Sequence, residues 1–176
     1  MKKTINEELK KLVENYIKDL NDSLNTDYIE KVYGPITFKI GDDYNKELED
    51  FSKNDPYIYI FSIKGKEPLN LEEVEEAKTK LEGEEYKMFQ INKDHFGKKK
   101  KCLYVGSSID LKKRLKEHLG FNDAKKTYAL HLNKWYKPIE EVDVKIYRVA
   151  DEERRQLLED LLWEEYKPLL GKQGKK

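Results

Sequence analysis

The stretch Cys102-Leu103-Tyr104-Val105-Gly106-Ser107-Ser108-Ile109-Asp110-Leu111-Lys112-Lys113-Arg114-Leu115-Lys116-Glu117-His118-Leu119-Gly120 reads as a strand, a turn and a helix. Cys102 to Val105 is an apolar and aromatic run suited to a short strand. Gly106 is placed to turn the chain. Ser107-Ser108-Ile109-Asp110 then offers side-chain oxygens for the free amide hydrogens of a helix start, and the acid suits the positive end of the dipole. The helix is expected from about Ile109, its apolar stripe is Leu111, Leu115 and Leu119, and Gly120 ends it. Arg114 and His118, four residues apart, fall on one face beside that stripe.

The same stretch is the most basic in the chain. Residues 98–116 hold Lys98, Lys99, Lys100, Lys101, Lys112, Lys113, Arg114 and Lys116 against Asp110 alone, a net +7. Only four arginines occur, at 114, 148, 154 and 155, and Arg114 is the one inside this patch. A guanidinium presents a fork of donors that matches phosphate oxygens, so an anionic guest suits it. A solvated basic helix with a capped start is the plainer account of these residues.

Upstream, Asp55-Pro56 signals a turn and introduces Tyr57-Ile58-Tyr59-Ile60-Phe61-Ser62-Ile63, a run suited to a buried strand. Alternation puts Tyr57 and Tyr59 on one side and Ile58 and Ile60 on the other. Ile36 to Ile40 alternates like a short strand after a break at Gly34-Pro35. Residues 5–24 carry apolar residues at three- and four-residue steps and read as an amphipathic helix. Residues 64–85 hold eight acids and four lysines, a net −4, with Leu71, Val74 and Leu81 marking a helical stripe.

Downstream, Thr127 to Tyr136 reads as a helix before Pro138. Val142 to Val149 alternates as a strand with one buried face, and Asp151 caps a helix to about Tyr166. Glu159 lies mid-helix beside Leu157, Leu158, Leu161 and Leu162. A surface glutamate paired with Arg155 is its plain reading; a carboxylate aimed at a divalent metal is the functional one. The elements predict an α+β domain with a small mixed or antiparallel sheet flanked by helices. Residues 1–50 form a helical N-terminal extension in this reading. Residues 51–176 form the main domain, with an inserted acidic helix and lysine run at about 64–101.

Composition narrows the function classes. The 176 residues carry 35 Lys+Arg and 35 Asp+Glu, 38% hydrophobic residues and twelve tyrosines, which suits one folded domain. No apolar run approaches the ~20 residues of a membrane span. Met1-Lys2-Lys3-Thr4 leads into charged residues without a signal-peptide core, and Cys102 is the single cysteine, so a reducing cytoplasm and no membrane partner are expected. His95, His118 and His131 lack metal-site spacing, and no glycine-rich phosphate loop occurs. Zero net charge argues against indiscriminate nucleic-acid binding but hides the local patch.

In order and spacing these segments resemble the GIY-YIG nuclease family over roughly residues 56–174, with a lean towards its restriction-enzyme branch. Tyr57-Ile58-Tyr59 stands where that family has Gly-Ile-Tyr, and Tyr104-Val105-Gly106 where it has Tyr-Ile-Gly. Arg114 follows Tyr104 by ten residues, and Glu159 precedes Pro168 by nine. The resemblance implies Tyr59 as general base supported by Tyr104, Arg114 on the scissile phosphate, His118 on the tyrosine or phosphate, and Glu159 as ligand of Mg²⁺ or Mn²⁺. It implies a metal-dependent DNA endonuclease acting on duplex ahead of single-stranded DNA, with RNA as a further substrate class and a homodimer as the form suited to cutting two strands. Lys98, Lys99, Lys100, Lys101, Lys112, Lys113 and Lys116 are the expected nucleic-acid contacts. Three positions depart from the family pattern: Tyr57 replaces a glycine, Ser107 stands where some members have lysine, and Gly171 where many have asparagine. A non-catalytic nucleic-acid-binding module is the alternative function, and a protein-interaction domain using residues 1–50 and 64–86 a third.

Overall fold

The computed structural model describes residues 29–42, 46–64, 68–97, 101–122, 124–136, 141–150 and 152–174. Four strands form one antiparallel sheet: β1 (Ile29–Lys39), β2 (Tyr57–Ile63), β3 (Cys102–Ser108) and β4 (Glu141–Val149). Their order is β1-β4-β2-β3. The helices are α1 (Leu71–Gly83), α2 (Leu111–Leu119), the single turn α3 (Leu132–Trp135) and α4 (Glu152–Tyr166). The fold is α+β, as the pattern of elements implies. No helix among the described residues is long and apolar enough to cross a membrane.

β2 lies between two partners and buries every residue except half-buried Ser62, which is why it reads as one continuous apolar and aromatic run. Its alternation holds. Tyr57, Tyr59, Phe61 and Ile63 enter a core with Leu103, with Val142, Val144 and Ile146 of β4, and with Leu111, Leu115 and Leu119 of α2. Ile58 and Ile60 face the other way, onto Cys102, Val105, Tyr147, Val149 and Leu158 of α4. The sheet is thus covered by α2 on one face and by α4 on the other. Each fully buried Leu, Ile or Val contributes about 1.5–3 kcal/mol relative to exposure.

Several elements differ from their sequence reading. β1 starts at Ile29 and passes through Gly34-Pro35 with a register shift between Tyr33 and Ile36, so the expected break is an irregularity on an edge strand. The sheet therefore includes part of the segment expected as a helical extension; the helix expected at 5–24 lies outside the described residues. β4 alternates through Ile146, but Tyr147 and Val149 are buried against the α4 side, so both of its faces are used. Between Thr127 and Tyr136 only Leu132–Trp135 is helical. The preceding backbone is used elsewhere: Ala129 bridges to Met88, Leu130 N–H donates to His118, and His131 has a left-handed φ of 49°. The predicted cap at Asp151 lies outside the described residues.

Candidate active site

The antiparallel register of β2 and β3 sets Tyr59 opposite Gly106 and Phe61 opposite Tyr104. Leu103 is skipped in the pairing, because Ser62 faces Cys102. Tyr104, opposite Phe61, shares the face of Tyr59, and the bulge lets Leu103 beside it face the same core while Cys102 and Val105 both point to the α4 side. Gly106 is not a turn residue: it lies inside β3, and two residues, Ile109 and Asp110, separate the end of that strand from the helix. It is a glycine for space. A Cβ there would stand 2.5 Å from Tyr104 Cε1 and 2.8 Å from the Tyr59 hydroxyl. The two tyrosine rings stack with centroids 6.3 Å apart and planes at 20°.

α2 brings the next groups. Asp110 is its N-cap, accepting from Lys113 N–H at 3.2 Å, and Gly120 closes it in a left-handed conformation with φ 92°. His118 is fully buried, and its Nε2 lies 3.0 Å from the Tyr59 hydroxyl. Leu130 N–H donates to the other ring nitrogen, Nδ1, at 3.2 Å. Burial, with the charges of Arg114 and His131, pushes the His118 pKa well below its usual value, so the ring is neutral. A neutral ring that accepts at Nδ1 carries its proton on Nε2. His118 therefore donates to the Tyr59 oxygen.

Arg114 is held from two sides. Nη1 donates to Glu117 at 2.8 Å, and Nη2 donates to the Tyr128 carbonyl at 2.8 Å. Burial opposes the charge, but Tyr59, Tyr104 and Glu117 outweigh it, and the guanidinium stays cationic. Burial raises the Tyr59 pKa well above normal and Tyr104 pushes it further, while Arg114 acts to lower it by charge and hydrogen bond. Tyr104 is likewise raised by burial and lowered by Arg114.

Residues 91–173 match the family model of the GIY-YIG catalytic domain. Over this span the chain is similar to the GIY-YIG family, as the sequence motifs imply. Neither curated proteins nor solved structures give a match to it. That likeness supports a nuclease-type function on nucleic acid. The matched span holds Tyr104, Arg114, His118 and Glu159; Tyr59 precedes it, and the sheet register brings its strand alongside.

Glu159 approaches from α4 on the opposite face of the sheet. Ser107, at the end of β3, donates its hydroxyl proton to Glu159 Oε2 and accepts from Arg155. Arg155 also holds Glu152 through Nε and Nη2, each at 2.9 Å, so the expected direct Arg155–Glu159 pairing is replaced by a serine bridge. Burial raises the Glu159 pKa, while Ser107 and Arg155 act to lower it, and its charge is felt by both Tyr59 and Tyr104. No group of three or more His, Cys, Asp or Glu side chains able to hold a metal occurs among the described residues. One half-buried carboxylate fits a hard, strongly hydrated cation such as Mg²⁺, which is commonly held by one or two carboxylates plus substrate phosphate and water.

Tyr59, Tyr104, Arg114 and His118 thus cluster on the α2 side, and Glu159 reaches them through the end of β3. Of the expected nucleic-acid contacts, Lys101 and Lys113 are exposed and Lys112 and Lys116 half-buried; Lys98, Lys99 and Lys100 lie outside the described residues. Sequence reasoning misses Glu117, whose place three residues after Arg114 is a signal for pairing. It also misses Asn92, which has no such signal. Its Nδ2 donates to the carbonyls of Pro168 at 2.9 Å and Gly171 at 3.1 Å, and its N–H to Leu169 at 2.9 Å. That clamp holds Gly171, at φ 97°, where a Cβ would stand 2.6 Å from Tyr104 Cε2. Gly171, a departure expected from the motif comparison, leaves the space that the Tyr104 ring occupies.

Proposed function

We propose that the chain is a divalent-metal-dependent DNA endonuclease of restriction or defence type. Tyr59 takes the proton of the attacking water, Tyr104 positions that water, Arg114 holds the scissile phosphate, and Glu159 holds Mg²⁺ or Mn²⁺. The observation that carries this reading is the convergence on the Tyr59 hydroxyl of the His118 Nε2 donor at 3.0 Å and the Arg114 charge.

Holding a tyrosine ionised at pH 7 costs roughly 4 kcal/mol from its ordinary pKa of about 10, and burial of Tyr59 adds to that. The His118 donor and the guanidinium stabilise the anion and offset part of the cost. The cation, when bound, supplies charge neutralisation at the phosphate oxygens and the leaving group. Arg114, tied to Glu117 and the Tyr128 carbonyl, is pre-set to receive a phosphate without reorganising. Lys101, Lys112, Lys113 and Lys116 follow the flanking backbone, with Lys98, Lys99 and Lys100 beside them in sequence. Duplex cleavage on both strands calls for two sites, which a homodimer supplies. The cytoplasm is the compartment this reading favours.

The test incubates purified protein with plasmid and single-stranded DNA in Mg²⁺, Mn²⁺ or EDTA, beside Glu159→Gln and Arg114→Ala. Metal-dependent cleavage that Glu159→Gln abolishes supports the reading. Equal cleavage by wild type and Glu159→Gln overturns it.

A further inference from the structure

We propose that the ring of Tyr128 is a stacking platform for a nucleobase next to the phosphate held by Arg114. The proposal rests on the reading of this site as one that holds a DNA phosphate. Tyr128 is 63% exposed, more than any other large hydrophobic residue described, whereas the next two residues, Ala129 and Leu130, are fully buried. A lone exposed aromatic is ordinary on a surface. The position of this one is not ordinary, because its own backbone builds the site.

The Tyr128 carbonyl accepts from Arg114 Nη2 at 2.8 Å, and two residues later Leu130 N–H donates to His118. The segment that orients both the guanidinium and the imidazole therefore turns one aromatic ring outward between these two ties. Its backbone is braced. Ala129 bridges to Met88, Lys87 N–H donates to the Lys125 carbonyl at 2.8 Å, and Thr127 Oγ1 donates to the Ala124 carbonyl at 3.0 Å. A braced backbone holds the base of the ring in place, so less freedom is lost when a planar partner settles on it.

The surroundings suit a strand of nucleic acid. The Lys87 ammonium lies 5.5 Å from the ring centroid, and exposed Lys126 adds a second cation beside it in the chain. Cations flanking an aromatic face, next to an arginine aimed at phosphate, are the combination by which proteins hold single-stranded or locally opened nucleic acid. The contact is tolerant of base identity, since every base has a π-face. It anchors the strand on one side of the cut rather than reading a sequence.

The test measures binding in EDTA, so that no cleavage intervenes, by fluorescence anisotropy of two oligonucleotides of equal length. One is a labelled single strand of mixed sequence; the other carries abasic sites throughout its centre. Wild type and Tyr128→Phe are expected to bind the base-bearing strand about ten-fold more tightly than the abasic one, within the range of a single stack. Tyr128→Ala, which keeps the carbonyl on Arg114, loses most of that preference but retains the salt dependence set by the phosphates. Tyr128→Trp is expected to show quenching of an added indole signal by the base-bearing strand only. An unchanged preference in Tyr128→Ala overturns the proposal, as does failure of wild type to bind either strand. Metal-dependent cleavage by wild type, lost in Glu159→Gln, is scored separately, so a nuclease without base stacking and a base-binding protein without cleavage give different results.

Discussion

The Tyr59 hydroxyl stands 3.0 Å from Nε2 of His118, and Leu130 fixes the direction of that hydrogen bond by occupying Nδ1. His118 is therefore a donor to the tyrosine oxygen, a direction that favours the anionic tyrosine over the neutral one. His118→Leu removes the donor, which makes Tyr59 harder to ionise. The rise of cleavage rate with pH should move upward by about one to two units, given 1.36 kcal/mol per unit and about 1.5–3 kcal/mol for a hydrogen bond to a charged group. A pH–rate profile of the variant that keeps its wild-type midpoint would assign His118 to packing alone.

Two glycines leave room for the tyrosines. Gly106→Ala places a methyl group 2.8 Å from the Tyr59 hydroxyl and 2.5 Å from a Tyr104 ring carbon. Gly171→Ala adds a left-handed backbone penalty to a 2.6 Å approach to the same ring. Each variant should lose about 1–3 kcal/mol in urea unfolding, as overpacked cores do, and cleavage should fall by more than the lost folded fraction explains. Gly171→Asn, which restores the family residue, should behave like Gly171→Ala and not gain activity.

These glycines also mark where the sequence stops being legible. β2, β3 and α2 are visible in it because Tyr57 to Ile63 is a continuous apolar run and Leu111, Leu115 and Leu119 keep a helical period. Tyr59, Tyr104, Arg114, His118 and Glu159 stand out as a set only through their resemblance to the GIY-YIG pattern; by residue type and spacing alone the plain structural account of each prevails. The Leu103 bulge cannot, since it depends on the register between two strands. Gly106 is mistaken for a turn because space for a neighbouring ring and freedom of φ call for the same residue. The Asn92 clamp joins residues more than seventy positions apart through backbone carbonyls, which leave no trace in side-chain pattern. The helix expected at Thr127 fails for a similar reason: its amides and carbonyls are drawn into ties with His118, Arg114 and Met88.

Glu117 is a buried carboxylate, its side chain 5% exposed, paired with Arg114 at 2.8 Å. Removing only one member of such a pair strands the other, at about 3–5 kcal/mol, whereas replacing both by apolar residues is far less costly. Arg114→Met should therefore be markedly destabilised, and Arg114→Met/Glu117→Leu should recover much of that loss without recovering cleavage. Denaturant midpoints of the two variants and wild type check this; equal stability of single and double variants would mean that the pair does not couple.

Two buried histidines set the acid limb of stability. Burial depresses the pKa of His118 strongly and that of His131 less. The unfolded chain then binds more protons than the folded one below the ordinary histidine pKa of about 6.5. Their contribution is complete above that pH and is lost as pH falls from there towards the depressed folded values. Urea midpoints should fall between pH 7 and pH 5, and His118→Gln should flatten part of that fall. At the alkaline end Tyr59 and Tyr104, both raised by burial, contribute stability that is lost as pH climbs past about 10.

Ser107 joins Arg155 to Glu159, and its effect should appear in the metal requirement rather than in the chemical step. Its hydroxyl spends its proton on Glu159 Oε2 and receives one from Arg155 Nη1, which fixes the carboxylate's rotamer and biases it towards the ionised form. Ser107→Ala frees the carboxylate to turn and leaves Arg155 without its intermediary. The loss of such a supporting partner typically costs ten- to a hundred-fold in metal affinity. The Mg²⁺ concentration for half-maximal cleavage should rise by about ten-fold or more, while the rate at saturating metal stays within a few-fold of wild type. Ser107→Thr keeps the hydroxyl and should restore most of the affinity. A Ser107→Ala variant with unchanged Mg²⁺ dependence and a reduced maximal rate would instead place the serine's role with the tyrosines on β2 and β3.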